Sequence, residues 1–71
     1  MSSPDTFNVG EWEHNLGINF YRQQKYTEAE QLFRQSAQQR EKLLGDEHVD
    51  TLWSRYNLAL TLYRQQNYPR S

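Results

Sequence analysis

The sequence contains no cysteine. That excludes a disulfide framework and leaves any metal site without thiolate ligands, and nothing points to an oxidising compartment. It also lacks an excess of either charge: eight Lys and Arg face nine Asp and Glu, for a net charge of −1. A duplex-binding domain needs a basic face to displace counterions, so nucleic acid is not an expected partner. No apolar run approaches the roughly 20 residues of a membrane helix. From Met1 to His14 there is neither Lys nor Arg nor a hydrophobic stretch, which speaks against a signal peptide and predicts a cytoplasmic protein with no membrane role. What remains is 71 residues, 35% of them hydrophobic, room for one small domain near the lower limit for folding alone.

The chain repeats itself. The twelve residues from Asn15 to Tyr26 align with Asn57 to Tyr68 at a constant offset of 42, and seven of the twelve pairs are identical. Three more exchange like for like: Gly17 with Ala59, Ile18 with Leu60, and Phe20 with Leu62. A weaker echo upstream, Asp5-Thr6-Phe7 against Asp50-Thr51-Leu52, carries three extra residues in the first copy.

Between the copies the pattern is helical. Thr27 through Glu30 has the form of a capping box, a hydroxyl followed three residues later by an acid. From there Ala29, Leu32, Phe33, Ser36, Ala37, Arg40, Leu43 and Leu44 trace one stripe at i, i+3, i+4, i+7 spacing. Gly45 stands where a left-handed residue ends a helix. These signals predict helix A over about 11–24, helix B over about 28–44, and a second helix A over about 51–66, capped by Asp50 or Thr51. The first helix starts at Glu11, or at Pro4 if Ser3 caps it. The fold class is therefore all-α, an antiparallel helical hairpin plus one further helix. Residues 1–10 form a lead-in, 11–49 the first repeat and 50–71 half of a second, with Pro69 at the doorstep of a helix B that does not follow.

Asn15-Leu16-Gly17, Tyr26-Thr27-Glu28-Ala29, Phe33 and the small Ser36 resemble the signature of a tetratricopeptide repeat. The stretch from Leu32 through Leu52 resembles the 42-residue form found in kinesin light chains and NLR-like repeat arrays. The likeness covers about residues 11–69. Glu13 stands where the family places a tryptophan, with Trp12 beside it. Val49 replaces a proline, and Gln24 and Gln66 occupy positions where glycine is frequent. By period alone a HEAT or armadillo unit also fits; the Tyr-x-Glu-Ala start of helix B favours the tetratricopeptide form.

The resemblance implies a non-catalytic scaffold for protein–protein interaction, in which the A helices line a groove for peptides or partner helices. Asn15, Ile18 and Arg22 share one helix face, as do Asn57, Leu60 and Arg64 in the second copy. His14 and Tyr21, then Trp53, Tyr56 and Tyr63, extend that surface, separate from a packing face of Leu16, Gly17 and Phe20. Asparagines at the positions of Asn15 and Asn57 hold peptide main chain in the family, because an amide offers donor and acceptor together. The same asparagines can equally bond within or between helices, and the aromatics can serve the core.

The alternative is a structural self-assembly unit, or a truncated piece of a longer repeat array. Eight of the twelve residues from Leu52 to Tyr63 are apolar or aromatic, and helices apolar nearly all round are normally buried on every side. Helix B covers one side only, so Leu58, Leu62 and Tyr68 form an expected self-association edge, each wet side chain forgoing roughly 1.5–3 kcal/mol. A two-fold homodimer is the first choice. The acids Asp5, Glu11 and Glu13 at one end and Arg55, Arg64 and Arg70 at the other also suit head-to-tail contact, or are simply solvated charges. His48 with Asp46, Glu47 and Asp50 matches no metal-ligand spacing. With no nucleophile–base arrangement and no phosphate loop, neither cofactor nor enzymatic activity is expected. The paired glutamines at 23–24, 38–39 and 65–66 read as solvated surface.

Overall fold

The computed structural model describes residues 9–67. Three helices follow in order, α1 (Glu11–Arg22), α2 (Tyr26–Leu44) and α3 (Val49–Asn67). The middle helix packs against both others, so α2 carries the core: Tyr26, Ala29, Phe33 and Ala37 are buried along one stripe. Gly17 of α1 lets Phe33 come close, since a Cβ there would lie 2.9 Å from Phe33 Cε1. Arg40 continues the stripe and is buried as its spacing predicts, whereas Leu43, at the stripe's end, is exposed.

The helices begin and end where backbone needs differ from the side-chain code. Helix α2 starts at Tyr26, one residue before the expected cap; Thr27 lies inside it, and its Oγ1 accepts a 3.0 Å hydrogen bond from Gln65 Nε2 of α3. Helix α3 starts at Val49, so neither Asp50 nor Thr51 caps it. His48 does: its Nδ1 accepts the Asp50 N–H at 3.0 Å, satisfying one of the free donors of the first turn. Helix α1 begins at Glu11 after Gly10, whose φ of 74° interrupts any longer helix; a start at Pro4 falls outside the described residues, as does Pro69. At the far end of α2, Gly45 has positive φ as expected, yet at φ 99° and ψ 162° it is extended rather than left-handed helical, a region open almost only to glycine.

Helix α1 stops at Arg22 rather than Gln24 because the chain closes it with reversed hydrogen bonds. Lys25 N–H reaches Phe20 O and Gln24 N–H reaches Tyr21 O, both at 2.9 Å, with Gln24 at φ 64°. This Schellman arrangement usually places glycine in the left-handed position. Gln24→Gly is therefore expected to stabilise the protein by about 1 kcal/mol, the left-handed penalty of a residue with a Cβ; a thermal melt that does not rise speaks against it.

A buried polar hub locks the other end. Arg40 Nε donates to Val9 O at 3.0 Å, and its Nη1 donates to Ser54 Oγ at 2.7 Å and Asp50 O at 3.3 Å. Ser36 Oγ donates to Gly10 O at 2.8 Å and lies 3.1 Å from Ser54 Oγ. Smallness alone does not explain Ser36, which joins the chain before α1 to both α2 and α3.

Candidate functional site

Helix α1 meets α3 through rings. His14 stands 5.4 Å from Phe33 and 6.2 Å from Trp53, and Trp53 stacks on Tyr56 at 5.7 Å with 19° between planes. The row runs from the core outward, since His14 is buried while Trp53 and Tyr56 are exposed. Two stacked rings on a helix present rigid, amphipathic contact area with little conformational entropy to lose.

The sequence-predicted groove residues divide into three sets. Asn15 and Arg22 are exposed, and Ile18 and Tyr21 half-buried, the latter edge-on to Tyr26 at 5.3 Å. Trp53, Tyr56 and Tyr63 are exposed. Asn57, Leu60 and Arg64 are half-buried, and Asn57 Nδ2 donates to Trp53 O of its own helix at 2.8 Å. That bond realises the intrahelical alternative for one of its amide hydrogens. His14 departs most from expectation. It belongs to the packing face with Gly17, because the glycine admits Phe33 one turn from the imidazole, while Leu16 and Phe20 are only half-buried. In the expected association edge, Leu58 is half-buried on the stripe of Thr51, Ser54 and Thr61 that faces the interior, Leu62 is exposed, and Tyr68 lies outside the described residues.

Burial lowers the His14 pKa below 6.5, the nearby Arg40 charge lowers it further, and Asp50 opposes both. The folded protein thus holds the neutral imidazole, while the unfolded chain takes up a proton near pH 6.5. Stability is full above that value and declines as the pH falls below it, until the folded pKa is reached. The melting temperature is expected to drop between about pH 7.5 and about pH 5.5 in the wild type and to drop less in His14→Phe, whose ring does not titrate. Equal drops would refute the assignment.

Sequence reasoning missed Ser54, Thr51 and Thr61, all fully buried, because hydroxyls carry no hydrophobic signal. It also missed the bridging roles of Gln39, which donates to Glu13 Oε2 at 3.0 Å, and of Gln65. Arg55 pairs with Glu41 and Asp46 across the α2–α3 connection. Among the described residues no group of three or more His, Asp and Glu side chains is placed to hold a metal ion, and no helix is long and apolar enough to cross a membrane.

The family model of the tetratricopeptide repeat matches residues 8–71. No curated protein and no solved structure matches the chain.

Proposed function

The chain belongs to the tetratricopeptide repeat family, and on that premise we propose that it binds a peptide segment of another protein on the surface shared by α1 and α3. Repeats of this family are interaction scaffolds and generally carry no catalysis. The observation that supports the reading is the Trp53–Tyr56 stack, exposed on α3 and backed by buried His14. Trp53 is the anchor, in keeping with the weight of tryptophan at binding hot spots. Arg22, exposed at the end of α1, supplies a planar fork for a carboxylate. Lack of cysteine fits work in a reducing compartment such as the cytoplasm.

A library of random linear peptides panned against the protein tests this. Enriched peptides are expected to bind Trp53→Ala at least about tenfold more weakly, the loss of a modest hot spot. Failure to enrich any peptide, or affinity unchanged in Trp53→Ala, overturns the proposal.

A further inference from the structure

We propose that His14 is a proton-driven latch on the α1–α3 face: once protonated, its ring leaves the space between Phe33 and Trp53 for the Asp50 carboxylate, and Trp53 loses its backing while the three helices stay packed. The neutral imidazole is wedged between Phe33 of α2 at 5.4 Å and Trp53 of α3 at 6.2 Å. It is 5% exposed, and its buried Nδ1 meets no hydrogen-bond partner among the described residues. A neutral ring tolerates that position, because one of its two nitrogens carries no hydrogen. Both nitrogens of an imidazolium are donors, so the charge arrives with an N–H that the site does not satisfy.

The charges around the ring give the cation a direction. From α2 the Arg40 guanidinium repels it, and from α3 Asp50 attracts it. On α1 itself, Glu11 lies exposed one turn before His14, and Glu13 accepts a hydrogen bond from Gln39. Asp50 is exposed and stands three residues before Trp53, so the two share a face of α3. An imidazolium drawn to that carboxylate exchanges the Phe33 contact for water and an ion pair. It no longer supports the indole, which is 50% exposed and stacked on Tyr56.

The frame survives the exchange because its bonds do not pass through the imidazole. Phe33 keeps Gly17 against it. Arg40 and Ser36 still tie Ser54 of α3 to the backbone of Val9 and Gly10. Burial and Arg40 hold the His14 pKa below 6.5 in the packed position, whereas the outer position is in water beside a carboxylate. The proton therefore binds the outer position more tightly and shifts the population toward it as the pH falls. Under the peptide reading the consequence is release of a peptide held on the Trp53–Tyr56 stack; the latch itself stands without that reading.

Trp53 fluorescence tests the latch without a ligand. Trp12→Phe removes the only other tryptophan, an exposed one. In that background the Trp53 emission maximum is expected to move to the red with a midpoint below pH 6.5, while the far-ultraviolet circular dichroism stays constant. Adding His14→Phe should abolish the shift. Asp50→Asn keeps the backbone donor to His48 and should lower the midpoint by at least about 0.3 pH units, the loss of an exposed ion pair. His48 lies 4.0 Å from the same carboxylate, so His48→Asn should leave the shift in place. An emission maximum that does not move, a shift that persists in His14→Phe or vanishes in His48→Asn, a midpoint indifferent to Asp50→Asn, or loss of helical signal over the same pH range would each overturn the inference.

Discussion

Phe33→Ala leaves the chain largely unfolded at 25 °C. The ring is almost wholly buried, touches the gap left by Gly17, and supports His14. Truncating a buried phenylalanine costs about 3–5 kcal/mol, and a core of this size rarely supplies more than roughly 3–5 kcal/mol in total. Gly17, having no side chain, offers nothing to fill the space the ring leaves. Far-ultraviolet circular dichroism should show most of the helical signal lost. Phe33→Leu, which keeps more of the volume, should stay folded with a lowered melting temperature. A Phe33→Ala protein as helical and as heat-resistant as the wild type would place the core elsewhere.

Arg40→Met is the second large effect. The side chain is buried and forms no ion pair with a carboxylate among the described residues; two backbone carbonyls and a hydroxyl accept its hydrogen bonds. Methionine fills similar space with no donor, so the oxygens of Val9, Asp50 and Ser54 lose the hydrogen bonds that Arg40 donates, Ser54 Oγ keeping Ser36 Oγ beside it. Hydrogen bonds to a charged group contribute about 1.5–3 kcal/mol each, offset in part by no longer burying a charge. A net loss of about 2–3 kcal/mol is expected, read as the shift of the urea midpoint at unchanged slope. Arg40→Lys should recover only part of it, since one ammonium cannot match a fork that bonds Val9 on one side and Asp50 and Ser54 of α3 on the other. Full stability in Arg40→Met would mean that the hub is incidental to holding α3.

The helices were legible because apolar spacing survives every local irregularity. The stripe from Ala29 to Arg40 and the break at Gly45 needed no structure to find, and the repeat located α1 and α3 relative to it. Helix starts were less legible. Thr27 and Asp50 have the chemistry of caps, but Lys25 and His48 occupy the cap positions, since the bends between helices are set by packing of the hairpin. Of the candidate site, the exposure of Trp53 and Tyr56 on α3 was legible, while His14 turned inward because glycine at position 17 admits the ring of Phe33. Hydroxyl burial on α3 was not legible at all. A serine reads alike in solvent and beneath a guanidinium, and only the third dimension places Ser54 under Arg40.

The two sides of α3 reverse the ordinary distribution of polarity, with Thr51, Ser54 and Thr61 hidden and leucine, valine and tyrosine in water. Solvent aversion, having no direction, would roll this helix over by half a turn. Its orientation is instead chosen by directional bonds from Arg40 and Ser36 to Ser54, which only one rotation about the helix axis satisfies. Cooling weakens the first influence and leaves the directional bonds, so the choice of rotation for this helix is more one-sided in the cold.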